Sequence, residues 1–146
     1  MTWKYTTSRE TTATPADWWA VVSDVAGWPR WNAGIERLEL ADGFEEGALG
    51  TITPVGQTPL SFRVVACEPL AGYTSETKIA DTVTLVNSQR IEPLDGGFVV
   101  WAESELTGTA AEYFGQSFGP QLAERLPATL DSLCEQAENA ASPSDA

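Results

Sequence analysis

Apolar and polar positions alternate along most of the chain, and the period lengthens to that of a helix only in the last third. From Trp3 to Thr12, aromatic and Thr residues nearly alternate with polar ones, which predicts a half-buried strand. Thr14-Pro15-Ala16-Asp17 predicts a helix start, with Thr14 as N-cap, Pro15 at the first helical position and Asp17 as the acid of a capping box. That helix carries Trp18, Trp19, Val21 and Val22 and is short, because Asp24, Gly27 and Pro29 interrupt it. A second helical turn is expected over Val25 to Trp28. Six more strands follow: Ile35 to Ala41, Gly47 to Pro54, Leu60 to Glu68, Tyr73 to Ile79, Thr82 to Leu94 and Phe98 to Leu106. Asp95-Gly96-Gly97, between the last two, is a specific hairpin signal.

Leu122, Leu126, Leu130, Leu133 and Ala137 recur at spacings of 4, 4, 3 and 4, which places them on one face of a helix. Drawn from Pro120 to Asn139, it would be about 30 Å long. Phe114 and Phe118 continue the register upstream, Pro120 is expected near its start, and Pro127 is expected to bend or restart it. Residues 140–146 are small and polar and read as a flexible tail after a single domain, 1–139. A helix with one apolar stripe and a sheet with one apolar face must cover each other. The expected fold is therefore α+β: a curved antiparallel sheet of about seven strands wrapped around a long C-terminal helix, with two short helices between the first two strands. A sheet curved in this way leaves a space against the helix, where small molecules bind.

Composition narrows the function. At 146 residues, with 42% hydrophobic and 20% charged, the chain has the balance of one globular domain. Eight Lys and Arg against 21 Asp and Glu give a net charge of −13, which would repel a phosphate backbone or an anionic membrane. Nucleic acid and membrane insertion are excluded as expected partners. There is no His, so Ser-His-Asp and Cys-His nucleophile systems and His-ligated metals are ruled out. Cys67 and Cys134 lie far apart in core-like surroundings and read as small buried thiols rather than a disulfide or zinc framework. The clusters Glu45-Glu46 and Glu135 to Glu138 read as solvated surface, so no metal and no cofactor is expected. No apolar run approaches the roughly 18 residues of a membrane span, and MTWKYTTSRETT lacks the pattern of a signal peptide. The expected location is the cytoplasm, as a monomer or homodimer.

The segment PADWWAVVSDVAGWPRWNAGIERLEL, with Pro15, Trp19, Asp24, Trp28-Pro29 and Trp31, resembles the opening signature of the START-like, or SRPBCC, superfamily. DGFEEGALGTITP is similar to its glycine-bearing second hairpin, IEPLDGG to the turn before its last strand, and Glu105 to Gly108 to the approach to its final helix. The likeness runs through nearly the whole chain and is nearest to the small bacterial polyketide cyclase/dehydrase-like branch. It implies the helix-grip fold and a cavity between sheet and long helix. The superfamily includes lipid carriers, hormone receptors, polyketide cyclases and chaperone activators, so the fold does not choose the function.

Strand parity sorts the candidate residues. Phe98, Val100, Ala102, Ser104 and Leu106 are expected inward, and Val99, Trp101, Glu103 and Glu105 outward. Val83, Leu85, Asn87, Gln89 and Ile91 are expected inward on the preceding strand, and Leu60, Phe62, Val64 and Ala66 form the apolar face of an earlier one. The polar groups of the cavity are then Asn87, Gln89, Ser104 and Tyr73. Gln89 stands where similar sequences often place His, which removes a titratable group. Tyr73 is the candidate proton shuttle; Glu103 becomes a candidate base only if a bulge reverses the parity of its strand. Trp19, Trp28 and Trp31 read as packing of the short helices on the sheet edge, with Trp28 or Trp31 as alternatives for the cavity mouth. Phe114 and Phe118 read as core or as ligand contacts. The expected ligand wall is Trp28, Trp31, Phe62, Tyr73, Asn87, Gln89, Val100, Ser104, Phe114, Phe118 and Leu122. The expected function is binding of a small hydrophobic or aromatic molecule. The alternatives are a cyclase or dehydratase acting through Tyr73 and Glu103, and a protein-interaction domain with a filled core.

Overall fold

The computed structural model describes residues 3–141. The chain runs β1 (Trp3–Thr11), α1 (Pro15–Val22), a short 3₁₀ helix (Val25–Arg30), β2 (Ile35–Leu40), β3 (Leu49–Pro54), β4 (Leu60–Glu68), β5 (Gly72–Ala80), β6 (Val83–Leu94), β7 (Gly97–Thr107) and α2 (Ala111–Ala141). The strands form one antiparallel sheet in the order β1-β7-β6-β5-β4-β3-β2. With the long helix packed on β1 and β7, this is the expected helix-grip architecture.

Local chemistry accounts for the boundaries. The Thr14 hydroxyl accepts from the Asp17 N–H at 3.2 Å, and the Asp17 carboxylate accepts from the Thr14 N–H at 3.0 Å, so two otherwise orphaned donors of α1 are satisfied reciprocally. Leu94 pairs with Gly97 across Asp95-Gly96, and Gly96 supplies the positive φ, 81°, that this tight reversal needs. Register shifts at Ile35/Arg37, Val64/Ala66 and Lys78/Ala80 add bulges, which bend and twist the sheet around its contents. The bulge in β4 also inverts parity beyond Val64. Ala66, expected inward, is exposed on the outer face, and Cys67 takes the inward place against the core.

Helix α2 begins at Ala111, upstream of the expected start near Pro120, and continues through both prolines. Ala111 is fully buried against Val83 and Leu106, and Gly115 and Gly119 lie flat on the ring of Trp3. At its other end Leu130, Leu133, Cys134 and Ala137 enter the main core. There Arg9 of β1 reaches Asp131 and Glu138, each at 3.2 Å, and the Thr11 hydroxyl donates to Glu138 at 2.6 Å. The helix is thus seated at both ends. Residues 120–129 between them include no fully buried side chain. The prolines, lacking N–H groups, leave the Gln116 and Ala123 carbonyls without their helical donors. Ala140 and Ala141 are helical, and the rest of the expected tail, 142–146, lies outside the described residues. No helix among the described residues is long and apolar enough to cross a membrane.

Candidate functional site

The sheet and the middle of α2 enclose a cavity of about 290 Å³. This is at the small end of the ~300–1,000 Å³ typical of small-molecule sites. Its apolar wall comes from Trp28, Ile52, Phe62, Leu85, Leu122 and Leu126. Trp28 organises one side: its indole N–H donates to the Val22 carbonyl at 2.8 Å, and its ring meets Trp31, Phe62 and Tyr73 at centroid separations of 5.1, 5.9 and 5.9 Å. Such tilted and edge-on contacts suit the ring quadrupoles and fix the ring in place. Trp28 and Trp31 therefore both pack the short helix and line the cavity, uniting the two readings.

The polar part comes from three central strands. Alternation along β5 turns Tyr73, Ser75 and Thr77 inward, all buried, and β6 and β7 add Asn87, Gln89 and Ser104. Three of these groups are already engaged. Gln89 Oε1 accepts from the Trp18 indole N–H at 3.1 Å, and because an indole can only donate, this fixes which way the Gln89 amide faces. Asn87 Oδ1 accepts from the Ser104 hydroxyl at 2.6 Å. The amide NH₂ groups of both residues are left over as donors. The Tyr73 hydroxyl has no protein partner among the described residues, and burial pushes its pKa well above the ordinary value. Trp31 Nε1 is buried with no acceptor among the described residues, an arrangement that costs about 1–3 kcal/mol.

Of the expected wall, Trp28, Trp31, Phe62, Tyr73, Asn87, Gln89, Ser104 and Leu122 come together around the cavity. Three residues do not. Val100 is fully buried in the main core, where the C-terminal part of α2 fills the space above β7. Phe114 stacks on Phe118 at 4.4 Å and packs beside Val83 and Leu106, while Phe118 is 44% exposed. Both lie upstream of the stretch of α2 that faces the cavity. Glu103 borders the cavity, but its carboxylate is held on the outer face by the Thr6 hydroxyl at 3.2 Å and Lys4 at 3.8 Å. Trp101 is on the same face, under the Arg90 guanidinium at 5.1 Å, so no bulge reverses this strand.

Sequence reasoning missed Ser75 and Thr77, although counting by twos from Tyr73 would have found them. It also missed the rim: Asn32, Gly34 and Ile35 after the 3₁₀ helix, Pro54 and Gln57 after β3, and Arg125 and Thr129 on α2. Only the tertiary fold brings those segments together. The cavity offers no inward carboxylate, and among the described residues no group of three His, Cys, Asp or Glu side chains could hold a metal ion. A second, open groove of about 650 Å³ lies on the outer face, edged by Glu46, Glu68, Glu92 and Arg90. Arg90 is already paired with Glu92 at 3.0 Å.

Residues 2–138 match the family described as "Polyketide cyclase / dehydrase and lipid transport", and the chain belongs to that family. No curated protein matches it in sequence. Among solved structures it is similar to the di-domain ARO/CYC StfQ from the steffimycin biosynthetic pathway, at 15% identity and a TM-score of 0.76. That alignment covers 97% of this chain and 52% of the other, so the chain spans about half of that di-domain protein. It is also similar to a point mutant of Thalictrum flavum norcoclaurine synthase, at 16% identity, a TM-score of 0.74, and coverage of 97% and 98%. Ara h 8.0201 aligns at 13% identity, a TM-score of 0.66, and coverage of 92% and 99%. At such identities the likeness establishes the fold alone.

Proposed function

We propose that the protein binds a compact, largely apolar small molecule between the sheet and α2 and releases it unaltered. The observation that carries this reading is the 290 Å³ cavity, walled by Trp28, Phe62, Tyr73 and Leu122 and provided with neutral hydrogen-bond donors but no inward acid or base. Moving a proton next to a carbonyl needs a group titrating near the working pH, and a phenol pushed upward by burial moves the wrong way. The presence of a cavity also favours ligand binding over a protein-interaction domain with a filled core.

Native mass spectrometry of the purified protein, repeated after denaturation, tests the reading. A discrete adduct lost on denaturation supports it. The same holds for saturable enhancement of N-phenylnaphthylamine fluorescence that disappears in Ser75→Phe, a variant that fills the cavity floor. A protein that carries no adduct and enhances no such dye overturns it.

One observation favours a second reading, a cyclase or dehydratase-type enzyme. The Tyr73 hydroxyl is buried beside the cavity without a protein partner, and the Asn87 amide stands ready to help polarise a ligand carbonyl. Such an enzyme would lose turnover in Tyr73→Phe while still binding its substrate.

A further inference from the structure

The amide NH₂ groups left unused beside the cavity, those of Asn87 and Gln89, can only donate. Asn87 and Gln89 have spent their side-chain oxygens on Ser104 and Trp18, while the hydroxyls of Tyr73, Ser75 and Thr77 can donate or accept. A ligand suited to this wall brings acceptors.

The rim adds a charge. Of the eight cationic side chains, Lys4, Arg9, Arg63, Lys78 and Arg90 are paired with carboxylates. Arg125 has no such partner among the described residues, and it is the one cation bordering the cavity. It projects from the stretch of α2 between the two prolines. Its Nη1 lies 3.5 Å from the point where a Cβ on Gly34 would stand, so the guanidinium reaches the loop on the far side of the mouth. A planar fork of donors in that place matches a carboxylate. In a chain of net charge −13, an unpaired guanidinium at the opening of an apolar cavity is the local exception to a field that otherwise repels anions.

We propose that Arg125 is the head-group residue of this cavity and that the bound molecule is an amphipathic carboxylic acid. Its apolar body lies against Trp28, Phe62 and Leu122, and its carboxylate meets Arg125 at the mouth. The proposal rests on the ligand-binding reading above and adds the chemical class of the ligand.

The test separates the two. N-phenylnaphthylamine reports occupation of the cavity, and naphthoic acid and naphthamide, matched in shape and differing in charge, compete for it at pH 7. The acid is expected to displace the dye at a concentration about tenfold lower than the amide, the value of one charge-assisted contact. Arg125→Gln is expected to bring the two competitors together, while Arg37→Gln, which removes an exposed charge from β2, preserves their difference. Equal competition in the native protein, or a preference for the acid that survives Arg125→Gln, overturns the assignment of Arg125 and leaves the binding reading standing. If calorimetry detects no binding of the dye, the acid or the amide, both fall.

Discussion

The indole N–H of Trp18, a fully buried ring, donates to the side-chain carbonyl of Gln89 at 3.1 Å and so ties α1 to the centre of the sheet. One hydrogen bond both satisfies a core tryptophan and orients a cavity amide. Gln89→Leu keeps the volume but strands the indole donor in the core, which costs about 1–3 kcal/mol. The expected result is a fall in Tm of about 3–9 °C, measured by calorimetry. An unchanged Tm would mean that the contact contributes nothing.

Gly115 and Gly119 invert the usual rule for helical glycines. Alanine normally gains up to about 1 kcal/mol in a helix interior. A Cβ at position 115 would stand 2.6 Å from the Trp3 Cβ, and one at 119 would collide with the Trp3 indole nitrogen. Overpacking of this kind costs about 1–3 kcal/mol, so the clash outweighs the propensity. Gly115→Ala and Gly119→Ala are each expected to lower stability in urea unfolding. Combining Gly119→Ala with Trp3→Leu should recover part of the loss, and strict additivity would exclude the contact as its cause.

Burial raises the Tyr73 phenol above its ordinary pKa of about 10. Above that pH the unfolded chain releases this proton while the folded chain retains it, so the unfolded state binds fewer protons and stability falls as pH rises. Tyr73→Phe removes the term. Its unfolding free energy is expected to decline less steeply than that of the native protein above pH 10, and parallel curves would contradict the burial of this hydroxyl.

The thiols differ in access. Cys134 is buried on the face of α2 that meets the core and Cys67 is half-buried, and burial raises both pKa values, with Glu45 and Glu46 adding to the rise at Cys67. A disulfide reagent at pH 8 is expected to label Cys67 slowly and Cys134 only after unfolding. Equal rates in the native state would show that α2 lifts readily from the sheet.

Alternation, turn residues and the capping box made the order of elements legible, because each is a local signal. The misplacements share a physical cause in tertiary packing. Pro120 reads as a helix start until Trp3 supplies the surface on which Gly115 and Gly119 carry the helix further upstream. Ala66 follows strand parity until the bulge after Val64 inverts it. Phe114 and Phe118 have the right helical phase but stand too far upstream along α2. Arg125 carried no signal at all, since its significance depends on the loop at Gly34, more than half the chain away.

The place of β1 at the edge of the sheet also bears on how the chain is made. This first strand pairs with β7 alone, Trp3 standing opposite Leu106, so it waits without a hydrogen-bonding partner until the sixth and seventh strands have been synthesised. Closure is therefore a late, non-local event, of the kind that slows folding and leaves a strand edge exposed meanwhile. Because Trp3 is also the surface on which α2 comes to rest, the first strand and the last helix complete one another late in folding.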